Sequence, residues 1–179
     1  MFKPLRMTDT MVVVSVSDPA IDWEAAADKD LAEAVAKWES EPVPEGGSRG
    51  SKPEHKTAAA IKDAVMTKAF RKPSVTSDLP VKAGEQVCKF TIGVVPGDEV
   101  VRINGEAKNL DQVGWRYAMV GIVDVQGMGK PKKRTIGTVE YVDPEWIRET
   151  FVRSLQAVAI EIGWYVREFN RATDEEIRG

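Results

Sequence analysis

The feature that most constrains this chain is one long apolar stripe near its C-terminus. Ile147, Phe151, Leu155, Val158, Ile162, Val166 and Phe169 recur at steps of three or four, the spacing of a single helix face. Asp143-Pro144-Glu145 opens the stripe. Asp can cap orphan N–H groups, Pro fits the first helical position, and Glu suits the positive end of the helix dipole. Trp146, Trp164 and Tyr165 widen the apolar surface. One helix cannot bury that much by itself, so the spacing predicts a long helix over 143–170 packed against other elements.

Those elements precede it. Val87–Val95 alternates like a strand, and Thr135–Val142 reads as a second strand or hairpin arm. Pro96-Gly97-Asp98 turns into a short helix, with Asp98 or Asp111 able to cap the helical segment after it. Leu110–Val125 starts with helical spacing and ends β-branched, and is read as helix. The order predicts an α+β core over residues 86–170, with a polar tail over 171–179.

The first half is looser. Residues 11–16 form a β-branched run, an expected strand that Asp18-Pro19 ends. Residues 21–39 and 56–71 have helix-like spacing. Between them, residues 41–53 carry three prolines, three glycines and two serines, so 41–54 is expected to be a mobile loop. The expected fold class is therefore α+β. It is a helix-rich small domain with a short β-sheet or hairpin and a long C-terminal amphipathic helix, preceded by a flexible N-terminal arm over residues 1–80.

Composition excludes several classes. A net charge of −3 predicts no general affinity for nucleic acid or anionic membrane. The single cysteine, Cys88, excludes an intramolecular disulfide. No apolar run approaches the ~20 residues of a membrane span, and the run at residues 11–16 is too short for a secretory signal. The expected location is a cytoplasm, or a particle assembled there.

No catalytic constellation emerges. His55, the single histidine, lies at the end of the loop without ligand spacing around it. Cys88 alternates with Lys89 on the expected strand and reads as a structural thiol. Asp98-Glu99 suits a helix N-terminus, and Asp174-Glu175-Glu176 lies in the tail. Gly127-Met128-Gly129-Lys130 lacks the full phosphate-loop pattern. The expectation is a protein that is not an enzyme and has no cofactor and no metal.

Binding features are stronger. Five tryptophans occur in 179 residues, and aromatic rings supply interface area at low entropic cost. Trp115 and Phe151 are expected inside. Trp23, Trp38, Trp146, Trp164 and Tyr165 are the candidate partner interface. Two basic segments offer an alternative: residues 56–72, an amphipathic lysine-rich helix, and the cluster Lys130, Lys132, Lys133 and Arg134, candidate phosphate contacts. The bland reading of both is a solvated polar face.

The C-terminal half resembles small bacteriophage proteins of the tail-assembly-chaperone and minor virion structural type. The resemblance rests on Phe90–Glu99, the Trp115 helix, Asp143-Pro144-Glu145-Trp146 opening a long helix, and the ending Ala172–Ile177. It implies a non-enzymatic structural or assembly protein that binds other virion proteins or itself as a homo-oligomer. The implied location is the host cytoplasm during assembly, with the virion as a further place. It supplies no catalytic residues. The alternative is a nucleic-acid-associated protein using 56–72 and 130–134.

Overall fold

A computed structural model of the chain describes residues 6–43, 45–71, 79–151 and 155–178. Among them, the order of elements is β1 (Thr10–Val14), α1 (Trp23–Ser40), α2 (Ala58–Arg71), β2 (Lys89–Gly93), α3 (Gly97–Glu106), α4 (Leu110–Gly121), β3 (Ile122–Gln126), β4 (Lys133–Ile136), β5 (Val139–Val142), α5 (Pro144–Phe151) and α6 (Gln156–Arg178). The fold is a small α+β domain, as the pattern of the sequence predicts.

The β-branched run Met11–Val14 builds an edge of a three-stranded antiparallel sheet with order β1-β2-β3. Val13 pairs with Phe90, and Phe90 with Val125, so these three side chains share one face. All three are buried. Period-2 alternation places Met11 and Ile92 on the same face. That face meets α5 and α6. The Phe90 ring lies 5.9 Å from the Phe151 ring, tilted by 43°. β1 therefore belongs to the core, and the expected arm over 1–80 does not separate from it. Residues 79–82 are also tied down. Ile21 bridges Val81, Asp22 N–H donates to Pro80 O at 2.9 Å, and Lys82 N–H donates to Ala20 O at 2.9 Å.

Two helices, rather than one, carry the C-terminal stripe. Asp143 opens α5 as expected, its Oδ1 accepting from Glu145 N–H at 2.8 Å. α5 is described as far as Phe151, Leu155 sits at a bend, and α6 begins at Gln156. The spacing crosses the break because Phe151 and Val158 enter the same core. Periodicity reports which side is apolar, not whether the backbone is continuous. α6 then runs to Arg178, through the segment expected to be a polar tail.

The tightest contact joins α4 to α6. A Cβ at Gly163 would sit 1.6 Å from Gly114 O, and one at Gly121 would sit 2.2 Å from Val166 Cγ1. Gly114 and Ala118, small and four residues apart on α4, face Gly163 of α6, and Gly114 also meets Ile160 O. Each glycine costs helix propensity, about 1 kcal/mol against Ala. Close backbone packing offsets that cost. α4 then passes directly into β3, where Ile122, Val123 and Val125 favour strand.

The remaining layers are smaller. Gly137, with φ +61, allows the tight turn that joins β4 to β5. Tyr141 is buried on β5, and its hydroxyl donates to Val94 O at 2.6 Å, which fixes the hairpin to the exit of β2. Asp22 caps α1 by accepting from Ala25 N–H at 3.0 Å. α1 and α2 pack through Ala26, Ala27 and Ile61, and Ala69 of α2 enters the main core. The loop after α1 folds back on it. Trp38 Nε1–H donates to Gly50 O at 2.8 Å, and the Arg49 guanidinium lies 4.9 Å from the Trp38 ring centre. No described helix is long and apolar enough to cross a membrane.

Candidate functional site

Glu161 accepts hydrogen bonds from four groups inside the molecule. It lies on the apolar face of α6 and is 4% exposed. Its carboxylate accepts from Ser15 Oγ–H at 2.8 Å, Val16 N–H at 2.6 Å, Ser17 N–H at 3.0 Å and the Tyr165 hydroxyl one turn away. A buried charge is tolerated only with such donors. Burial, and next the Glu161 charge, hold the Tyr165 hydroxyl well above the ordinary phenol range. It stays a proton-bearing donor.

Two further polar side chains work the same way. Asn170 accepts from Val95 N–H at 2.8 Å and donates to Gly93 O at 3.2 Å and Val166 O at 2.7 Å. Asp18 accepts from Ala20 N–H at 2.9 Å and Cys88 N–H at 2.8 Å. Glu161 and Asn170 thus bind the ends of β1 and β2 to α6. These groups complete backbone hydrogen bonding, and each of their oxygens has a partner. Burial, followed by Asp18, pushes the Cys88 thiol up to about 11, so it is protonated at neutral pH. It lines a hollow of about 420 Å³ with Asp18, Glu85, Met128 and Val158.

The open feature is a cleft of about 600 Å³ between α3, α4, β4 and α5. Its lining holds five cationic side chains, Arg102, Lys108, Arg116, Arg134 and Arg148, against one carboxylate, Glu106. Trp115 and Met119 supply apolar wall. Glu99 holds Arg102 at 2.5 Å, and Glu106 pairs with Arg116. Arg134 is less satisfied. Its Nη2 makes a long contact of 3.5 Å to Met119 O, and its buried Nε has no partner among the described residues.

The residues singled out from sequence fare differently. Tyr165 is 1% exposed and belongs to the Glu161 cluster, not to a partner interface. Trp23, Trp38, Trp146 and Trp164 are half-buried and distributed over α1, α5 and α6. Each has an internal task. Trp23 packs against the core, Trp38 holds the loop, Trp146 meets Phe151 edge-on at 6.5 Å, and Trp164 carries Arg167 at 4.9 Å over its ring. Trp115 is only partly buried, because it forms a wall of the cleft. Phe151 is fully buried as expected.

The basic cluster divides. Lys130 and Lys132 are exposed. Lys133 is neutralised by Asp124 at 2.7 Å, whereas Arg134 lines the cleft. Lys133 and Arg134 begin β4. In α2, Ile61 and Ala69 are buried, so the apolar face of that helix is covered by its own fold. His55 is exposed and lies 2.9 Å from Asp28. Among the described residues, no group of three or more His, Cys, Asp or Glu side chains is placed to hold a metal ion.

Sequence reading missed Glu161, Asn170 and the cleft. A carboxylate on the apolar stripe with Tyr four residues later was the available signal for the first. Nothing local announces the cleft, whose cations lie between residues 102 and 148. Comparison with family models, with curated proteins and with solved structures yields no match to this chain.

Proposed function

We propose that this chain is a non-enzymatic component of a bacteriophage structure or of its assembly, and that it acts by binding other virion proteins. One observation carries the reading. β1 lies at an edge of its sheet with no strand on its outer side among the described residues; Val12 on it is 40% exposed, and Met7 in the turn that leads into it is 38% exposed. A free strand edge with apolar side chains is a template for an added strand from another chain. The partner is an extended segment of an assembly protein, and a stable contact buries about 1,200–2,000 Å² in total. The resemblance of the C-terminal half to tail-assembly and minor virion proteins supplies the setting, the host cytoplasm during assembly and the virion.

The internal chemistry supports the same direction. Ser15, Asp18, Glu161 and Asn170 are committed to internal partners, so the surface is the working part. The test is co-sedimentation of the chain with particles or assembly intermediates. The Met7→Lys/Val12→Lys variant should lose co-sedimentation while its circular dichroism stays that of the native chain. If the variant assembles normally, the β1 edge is not the contact. A native chain that never travels with any assembly removes the reading altogether.

A further inference from the structure

We propose that the cleft between α3, α4, β4 and α5 binds the phosphates of single-stranded nucleic acid. This goes beyond the protein-binding role and does not depend on which virion component the chain is. Net charge over the whole chain is −3, so a positive cleft is not a reflection of composition. Five cations face Glu106 in the lining, and Glu99 beside it pairs with Arg102, so three positive charges are left uncompensated. They come from α3, the α3–α4 connection, α4, β4 and α5, and meet only in the folded chain. Arg102 and Arg116 are held in place by Glu99 and Glu106. Arg134 retains donor capacity, since among the described residues its one hydrogen bond to the protein is the long contact to Met119 O.

Shape and apolar wall narrow the ligand. A volume of about 600 Å³ falls in the range of about 300–1,000 Å³ that suits small-molecule and nucleotide-sized groups. Trp115 lines the cleft and is only partly buried, a surface on which an unpaired base can stack. A duplex offers no free base face at such a wall. An acidic peptide would match the charge but has no use for the aromatic ring. The shared chemistry is a nucleotide phosphate, and both a strand and a free nucleotide carry it.

Fluorescence anisotropy with a labelled oligothymidylate tests this on the full chain. With about three phosphates neutralised, affinity should fall roughly 20-fold between about 50 and 200 mM salt, from the single-strand slope of about −0.7 per contact. In the Arg102→Gln/Arg148→Gln variant, both sites exposed, the same span should give only about a 3-fold fall. That variant should bind at least 10-fold more weakly at the lower salt. Lys130→Gln/Lys132→Gln should stay within 2-fold of the native chain (about 0.4 kcal/mol). Trp115→Leu should weaken binding without changing the salt slope, which separates stacking from charge. Displacement by thymidine monophosphate at equal phosphate concentration assigns a free nucleotide as the source, and displacement by the strand alone assigns the polymer. The proposal is overturned by an unchanged salt slope in the cleft variant, by no binding at the lower salt, or by polyglutamate competing as well as the strand.

Discussion

Replacing Gly163 with Ala sets two physical effects of opposite sign against each other. Helix propensity alone favours Ala by about 1 kcal/mol. The structure opposes it, because the new Cβ would lie 1.6 Å from Gly114 O, 2.5 Å from Gly114 C and 3.0 Å from Ala118 N. These are backbone atoms, so no side-chain rotation relieves the contact. α4 and α6 must move apart by roughly 1.5 Å or more to restore ordinary van der Waals distances, and dispersion is lost along the whole contact. Overpacking of this kind costs about 3 kcal/mol or more at the upper end of its range. Subtracting the propensity gain leaves a net loss of about 2 kcal/mol or more. For a chain of 179 residues that lowers Tm by roughly 4–8 °C. Gly105→Ala is the matched control, since nothing lies within 4 Å of its Cβ position in α3. It should be neutral or stabilising by up to about 1 kcal/mol. Urea and thermal unfolding followed by circular dichroism measure both. A Gly163→Ala chain as stable as the native one refutes the α4–α6 contact.

Glu161→Ala should destabilise by roughly 3–5 kcal/mol, because it removes the buried acceptor shared by Ser15, Val16, Ser17 and Tyr165; urea denaturation checks it against Glu149→Ala, an exposed site expected within about half a kcal/mol. Ile162→Ala should cost about 2–5 kcal/mol, and Leu155→Ala distinctly less, since Ile162 is fully buried and Leu155 is half-exposed at a bend. Cys88 should react slowly with iodoacetamide at pH 8 compared with the unfolded chain. Its thiol is raised from 9.0 to about 11, so the folded state keeps a proton that the unfolded state releases. This contribution to stability is complete below pH 9.0, declines as pH rises through about 11, and is absent from Cys88→Ser. Trp38→Ala should speed proteolysis within residues 41–54, because Trp38 anchors Gly50 and Arg49; mass-mapped limited digestion reads the rate.

The range of the forces involved decides how much of the fold was legible in the sequence. β1 and β2 could be read because β-branched alternation is a local pattern, and α5 opened where Asp143-Pro144-Glu145 said it would. The break between α5 and α6 was hidden because the stripe faces one core on both sides of it. The division near residue 80 failed because strand pairing joins Val13 to Phe90, which lie far apart in sequence. Tyr165 resembled an interface aromatic in sequence, but its partner Glu161 shows its place only when α6 lies against Ser15 and Val16. The cleft depends on cations from five separate segments, and only Arg134 of them stood out beforehand.

A stoichiometric binding component must be found in a fixed ratio to its partners. Gradient sedimentation of a lysate in which the chain is made with those partners, and quantitative mass spectrometry of each fraction, measure that ratio. The expected result is that the chain travels with a large assembly at a fixed ratio to one or more virion proteins, and that the ratio holds across preparations. A chain that remains at its own mass of 19.8 kDa in every fraction and at every stage of assembly contradicts the proposed role.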